Sequence, residues 1–302
     1  IDGFALMSYS SVIEPLRAAN LLSEKKLYKI INFSLNRTAK SSSDAIIDAQ
    51  FIGNEKDKLD MVIVCAGGDP FLFNNIKVFD WLRKKSREGV TLVGVSGGPV
   101  ILVKAGLMDG KRMTLHWEHA DTFREIWPNI LLEKSLFVID RKRITCAGGI
   151  APLDLMFTLI SNHHGESFAR KVSDWFMHTE VRPSGGPQRS GIVERYNVNN
   201  SKIVSAIEIM ENNLSNTLSL KEISEIVDIS PRQLNRLFKK NLNKTTMDVY
   251  RKLRLELAQK LLKQSQFSIT EIAFSCGFSS SSQFSQSFKE KFGVMPSQYK
   301  NL

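Results

Sequence analysis

Residues 269–292 read Ile269-Thr270-Glu271-Ile272-Ala273-Phe274-Ser275-Cys276-Gly277-Phe278-Ser279-Ser280-Ser281-Ser282-Gln283-Phe284-Ser285-Gln286-Ser287-Phe288-Lys289-Glu290-Lys291-Phe292. Ile269, Ile272 and Ala273 recur at helical spacing and predict a short helix with one apolar face. Ser275-Cys276-Gly277-Phe278 interrupts it, and Gly277 can take the left-handed conformation that a sharp turn needs. Ser280 or Ser281 suits an N-cap. Ser282–Phe292 then predicts a second helix that buries Phe284 and Phe288. Ser281, Gln283, Ser285 and Gln286 are left to face outward, and Lys289 and Lys291 follow. Two helices joined by a tight turn in this way form a helix-turn-helix, here spanning about 268–291.

Working outward, the same arrangement occurs once more upstream, at about 220–240. Leu220, Ile223, Ile226 and Val227 form one apolar face, and Asp228-Ile229-Ser230 breaks it. Ser230 is a good N-cap and Pro231 a good first helical residue. Pro231–Lys240 buries Leu234, Leu237 and Phe238. Arg232, Gln233, Asn235, Arg236 and Lys239 remain outside, the side-chain types that read base edges and hold phosphates. A basic helix near Met247–Lys263 joins the two units, and a rigid connector can hold two recognition helices for successive major grooves, ~34 Å apart. Charge agrees. Residues 197–302 carry 15 Lys+Arg against 9 Asp+Glu, so they hold +6 of the chain's net +10. Between 229 and 263 the ratio is 10 to 2, an electrostatic footprint for a polyanion.

The remainder has another texture. With 302 residues the chain suits two domains, since one domain runs ~100–200. Strand candidates are Tyr28–Leu35, Met61–Cys65, Thr91–Val95, Met113–Leu115, Leu136–Ile139 and Ile144–Ala147, with a hairpin turn at Asp140-Arg141. Helix candidates between them are Ser11–Ser23, Ile76–Glu88, Gly97–Gly106, Trp117–Ile126, Ala151–His163 and Glu166–His178. Such alternation predicts an α/β sandwich with a mostly parallel sheet, followed by the all-α double helix-turn-helix domain. The segment from Arg182 to Gly191, with two prolines and three glycines, cannot continue a helix. The expected division is a first domain over 1–180, a linker over 181–197 and a DNA-binding domain over 198–302. The opening Ile1-Asp2-Gly3-Phe4 contains no initiator Met and reads as the middle of a fold, so residues upstream of it are expected.

Cys65, Cys146 and Cys276 are isolated, odd in number and set in apolar surroundings. That is the usage of a reducing cytoplasm, with no disulfide framework and no metal spacing. No apolar run approaches the ~20 residues of a membrane helix, and no cofactor motif is present. Gly94-Val95-Ser96-Gly97-Gly98 fits the G-x-S-x-G nucleophile elbow of serine hydrolases, at a strand end and a helix start. His116 is the obvious base. A serine esterase is therefore one reading of this half.

Two resemblances bear on the choice. Ile272–Ser285, Phe288-Lys289 and Phe292-Gly293-Val294-Met295-Pro296-Ser297-Gln298-Tyr299 resemble the AraC/XylS family over about 200–302. Glu14-Pro15-Leu16-Arg17-Ala18-Ala19-Asn20, Cys65-Ala66-Gly67-Gly68, the Gly94–Gly98 elbow, Ala105-Gly106-Leu107-Met108-Asp109-Gly110, Thr114-Leu115-His116-Trp117 and Cys146-Ala147-Gly148-Gly149 resemble the sensor domain of GlxA-type AraC regulators. That domain is similar to the PfpI/ThiJ branch of the class I glutamine amidotransferase fold, which implies a flavodoxin-like layout. In the enzymatic relatives the elbow residue is cysteine. Here it is Ser96, and a hydroxyl without a strong adjacent base is a poor nucleophile.

The resemblance implies a cytoplasmic, dimeric, ligand-responsive activator with promoter DNA and RNA polymerase as partners. The alternative is a PfpI-like hydrolase or amidotransferase fused to a DNA-binding tail. The expected pocket uses Ser96 with the N–H groups of Gly97 and Gly98 at a helix N-terminus for an anion, helped by Gly67 and Gly68. Glu14 and Trp117 suit a cation, beside His116, with Phe71 or Phe73 as a second ring. GlxA-type regulators sense arginine, carnitine and glycine betaine, so the resemblance implies an amino-acid-like or betaine-like effector.

Overall fold

The computed structural model describes residues 1–55 and 58–301. In chain order it contains α1 (Leu6–Leu22), β1 (Phe33–Ser34), β2 (Thr38–Lys40), β3 (Ile46–Asp48), β4 (Gln50–Phe51), β5 (Met61–Ala66), α2 (Ile76–Arg87), β6 (Thr91–Ser96), α3 (Gly98–Lys104), β7 (Arg112–Met113), α4 (Trp117–Ile126), β8 (Leu131–Leu132), β9 (Phe137–Asp140), β10 (Arg143–Cys146), α5 (Ala151–His164) and α6 (Glu166–Trp175). The rest is helical: α7 (Ile192–Tyr196), α8 (Ser201–Asn212), α9 (Leu220–Ile226), α10 (Pro231–Leu242), α11 (Thr246–Gln264), α12 (Ile269–Ser275), α13 (Ser281–Phe292) and α14 (Pro296–Lys300). No helix among the described residues is long and apolar enough to cross a membrane.

Two compact units result, one of Ile1–Ala120 with Trp127–Gln188, the other of Asp121–Ile126 with Arg189 onward. The chain passes from the first unit to the second between Gln188 and Arg189. The first part of the expected linker is laid on the α/β unit: Arg182 forks onto Asp154 at 2.6 and 3.0 Å, and Ser184 O accepts from Leu136 N–H. Its last part forms α7, whose Ile192 and Tyr196 pack into the helical core.

The α/β unit is built on the sheet β5-β6-β10-β9, parallel except for β9. β6 is central, and its Leu92, Val93, Gly94 and Val95 are all buried, as both faces of a parallel sheet are covered. Val12 of α1 and Leu155 of α5 share one cluster with Val93, Val95, Ile144 and Cys146. On the opposite side Gly98 of α3 lies so close to Val64 that a Cβ would sit 2.0 Å from its carbonyl oxygen. The hairpin at Asp140-Arg141 is present, with Arg141 at φ +57° and Arg143 opposite Asp140.

Several elements are shorter than their sequence patterns, among them α3, which runs Gly98–Lys104 against an expected Gly97–Gly106. The strand expected over Tyr28–Leu35 shrinks to β1, because Asn20 Oδ1 accepts the N–H groups of Leu27 and Tyr28 at 2.8 Å and so takes those donors from any ladder. Met113–Leu115 shrinks to β7. Thr114 N–H goes to Thr145 Oγ1 and Leu115 O to Gln188 Nε2, so side chains replace strand partners. α6 stops at Trp175, where Ser173 Oγ donates to His178 O.

The helical unit has two cores strung on one helix. The first half of α11 (Val249, Tyr250, Leu253) packs with α8, α9 and α10. The second half (Leu255, Leu257, Ala258, Leu261, Leu262) packs with α12 and α13. The two halves repeat each other down to their caps. Ser219 and Glu222 form a capping box on α9, and Ser268 and Glu271 form its counterpart on α12.

Candidate functional site

The chemistry-bearing surface of the helical unit follows from how α10 and α13 are anchored. Ser230 caps α10 and forms a capping box with Gln233, while Pro231 sets the first turn. Leu234 and Phe238 are fully buried, which turns the opposite side of the helix to solvent. Arg232, Gln233, Arg236, Lys239 and Lys240 are exposed there. Among the described residues, Arg232, Arg236, Lys239 and Lys240 make no ion pair and no side-chain hydrogen bond. Asn235, expected outside, is half-buried, and its Oδ1 accepts the Thr246 N–H at 3.0 Å, so it caps the start of α11. That demand comes from a helix eleven residues away, which spacing within α10 does not show.

α13 is set the same way. Ser280 Oγ accepts the Gln283 N–H, and Phe284 and Phe288 are fully buried. Gln283 and Gln286 are exposed, while Ser281 and Ser285 are half-buried. Ser282, which the sequence pattern passes over, is exposed. It is the second residue of α13 as Arg232 is of α10. The turn before α13 is held by Arg254, whose Nε donates to Cys276 O at 2.7 Å and whose guanidinium lies 4.2 Å over the Phe278 ring. α11, with 19 residues, is about 28 Å long at ~1.5 Å per residue.

In the α/β unit the elbow exists as geometry. Ser96 sits at φ +59°, a conformation few non-glycine residues adopt, at the end of β6. A Cβ on Gly94 would lie 2.5 Å from Pro99 N, and one on Gly148 would lie 2.8 Å from Ser96 Cβ. These glycines let three chain segments meet. The elbow's donors are fewer than expected, however. Gly97 N–H donates to Ala66 O at 3.0 Å, an extension of the β5–β6 pairing, and is spent on the fold. Ser96 Oγ makes no hydrogen bond to a histidine among the described residues.

The loop after β5 links the elbow to an aromatic group. Gly67 comes close to the N-terminal segment, where a Cβ would meet Gly3 O at 2.5 Å; Gly68 has φ +61°. Pro70 packs on Gly97, 3.0 Å from where its Cβ would stand. Phe71 follows, its ring 5.6 Å from His119 and stacked 6.0 Å from Trp127. His119 lies 6.1 Å from His116, and His116 lies 5.4 Å from Trp117. Phe73 instead packs edge-on against Phe79 of α2. Gln188 fixes the segment: its Oε1 accepts the Trp117 N–H, and its Nε2 donates to Thr114 Oγ1, Leu115 O and Ser135 O.

Asp69, in the same loop, is an acid that the sequence pattern does not single out. It is half-buried, and Oδ1 accepts the Phe71 N–H at 3.0 Å. Burial pushes its carboxyl above the ordinary range, against the Phe71 N–H and the nearby His119 and Lys104. Glu14, the acid expected there, is elsewhere in character. It is 40% exposed and paired with Arg17 at 2.6 Å, so it is neither buried nor unpartnered. Nearer the rim on α1 is the buried Ser8, whose Oγ donates to Gly149 O at 3.4 Å. Burial pushes the thiols of Cys65 and Cys146 up to about 11 and about 12, and that of Cys276 further still.

Comparisons with known proteins agree with this layout. A helix-turn-helix domain model matches residues 223–301, and the DJ-1/PfpI family model matches residues 3–162. The HTH-type transcriptional regulator GlxA of Rhizobium meliloti is 39% identical, over 98% of this chain and 92% of that protein. The HTH-type transcriptional regulator CdhR of Pseudomonas aeruginosa is 38% identical, over 99% of this chain and 89% of that protein. GbdR of Pseudomonas aeruginosa, a third HTH-type transcriptional regulator, is 36% identical over 98% of this chain and 81% of that protein. Two crystal structures share the α/β fold. An AraC family transcriptional regulator from Pseudomonas putida has a TM-score of 0.53 at 23% identity, over 58% of this chain and 95% of that one. A THiJ/PfpI family protein from Pseudomonas syringae has 0.52 at 17%, over 75% and 86%.

A flavodoxin-like α/β domain joined to a double helix-turn-helix defines a DNA-binding transcription regulator of the AraC type. The chain belongs to this family, among the GlxA-like HTH-type regulators that carry a DJ-1/PfpI domain.

Proposed function

We propose that this regulator binds promoter DNA through α10 and α13 and is switched by a small zwitterion held in the α/β unit. The DNA half rests on one observation above the rest: four unpaired cations on the exposed side of a capped helix within a duplicated helix-turn-helix. It acts as an activator, as a homodimer that contacts RNA polymerase, and its α/β unit performs no turnover. The reading over a hydrolase is supported by the serine elbow that lacks a bonded base.

The effector is an amino-acid-like or betaine-like molecule. Its carboxylate takes Ser96 Oγ and the Gly98 N–H, where the helix dipole favours an anion. Its cationic nitrogen takes the aromatic group of Phe71, His116, His119 and Trp117, with Asp69 as counter-charge in place of Glu14; a cation over a ring gains ~0.5–2 kcal/mol. Calorimetry of the full chain with glycine betaine, carnitine and arginine tests this. Binding by at least one, weakened by Trp117→Ala and unaffected by Glu14→Gln, is expected. An effector that is uncharged or purely anionic contradicts it.

A further inference from the structure

The two helix-turn-helix units have the same framework but opposite outer surfaces. Leu234 and Phe238 of α10 occupy the positions of Phe284 and Phe288 in α13, all four fully buried, so the two twelve-residue helices correspond position for position. Arg232 then corresponds to Ser282, Arg236 to Gln286, and Lys240 to Glu290. Of the outward cations on α10, only Lys239 has a basic counterpart, Lys289.

The other cations near α13 are already engaged. Lys291 Nζ donates to Lys252 O at 2.9 Å and pairs with Glu256 at 3.1 Å. Arg254 is held by Cys276 O and the Phe278 ring. Arg251 lies 3.8 Å from Asp248. Lys300 Nζ donates to Phe267 O, and Lys263 lies 5.0 Å over Tyr299. A cleft of about 380 Å³ runs between α11 and α13, with Gln283, Gln286 and Glu290 on the α13 side.

From this we propose that the two units read different chemistry: α10 reads guanine and supplies most of the phosphate attraction, whereas α13 reads an A·T-containing box through Gln286 and Ser282 with little charge. The inference rests on the DNA-binding reading above. Arginine presents a fork that matches guanine O6 and N7. Arg232 and Arg236, one turn apart near the start of α10, are placed as a recognition helix places its base readers. Lys239 and Lys240, further along, reach the backbone. Gln286 Nε2 donates one hydrogen to Glu290 Oε1 at 3.1 Å. Its second hydrogen and its Oε1 remain for adenine N7 and N6, the bidentate match of a glutamine amide. Ser282 is small enough to admit a thymine methyl beside it. Glu290 opposes phosphate, so α13 docks because α11 carries it there. A site for this regulator therefore has polarity, with a guanine box and an adenine box about one turn apart.

The test is selection from a duplex library of roughly 30 random base pairs, about three turns, with the full chain as the protein. The enriched duplex is then titrated against variants at several salt concentrations. Two unlike boxes are expected. Arg232→Ala and Arg236→Ala each weaken binding roughly 5- to 150-fold and relax the guanine box only. Lys240→Ala lowers the slope of log K on log salt by ~0.9, while Ser282→Ala and Gln286→Ala leave the slope unchanged. Gln286→Arg, an exposed change, shifts the second box from adenine to guanine and leaves the first box as it was. Enrichment of two equivalent boxes, or guanine in the box that depends on Gln286, overturns the asymmetry and leaves the DNA-binding reading standing. Enrichment of no sequence at all, with no salt-sensitive affinity, overturns both.

Discussion

Asp228 and Gly277 close the same turn in the two helix-turn-helix units, at φ +55° and +70°, yet only one has to be glycine. A Cβ at 277 would stand 2.3 Å from Thr217 Cγ2 and 3.0 Å from Ser215 O. Gly277→Ala is therefore expected to cost ~1–3 kcal/mol through clash and positive φ together, read by denaturant unfolding; an unchanged midpoint contradicts the packing. Asp69 yields a prediction of opposite sign. Its carboxyl is pushed above the ordinary range by burial, so the folded protein disfavours the charge. Asp69→Asn should leave the melting temperature unchanged or higher at neutral pH, while weakening any cationic effector. For the same reason effector affinity should fall as pH drops through that raised pKa and stay flat on the alkaline side. A titration with the reverse slope contradicts the assignment. Ser230, Pro231 and Gly277 declare their roles through local rules. Asn235, Gln188 and the Gly97 N–H are claimed by partners far along the chain, and Asp69 acquires its character from burial, which no spacing encodes.

At the scale of elements, most helices and the four strands of the main sheet were legible because their periods are clean. The buried run Leu92–Val95 reads as a central parallel strand, and Leu234 and Phe238 read as a helix face. The shortened strands were not legible, because side chains of Asn20 and Gln188 replace ladder partners. Caps make the helix-turn-helix units testable. Ser230→Ala and Ser268→Ala each remove an acceptor from a first turn and should cost ~1 kcal/mol. Ser230→Ala should also weaken DNA binding, since it loosens the helix carrying Arg232. Equal DNA affinity at full occupancy of the folded state would separate the cap from the interface. The elbow gives a complementary test: Ser96→Ala should leave DNA binding intact and change only the response to effector. A covalent adduct of an acyl or phosphonate probe on Ser96 would restore the hydrolase reading. The thiols are poor candidates for such chemistry, since burial pushes all three up and favours the protonated form.

At the scale of the whole molecule, the proposed regulator engages DNA as a ruler. α11 spans two cores, one half committed to each helix-turn-helix, so the separation of α10 and α13 is set by a single continuous helix. A ruler of fixed length reads two grooves only when both face it. The most direct measurement is the affinity of the full chain for its selected duplex before and after insertion of ~5 bp, half a helical turn, between the two boxes. Tight binding is expected to be lost, leaving the affinity of one box with non-specific contacts, and a ~10 bp insertion is not expected to restore it. Undiminished affinity after the half-turn insertion would show that only one unit touches DNA and would contradict the account.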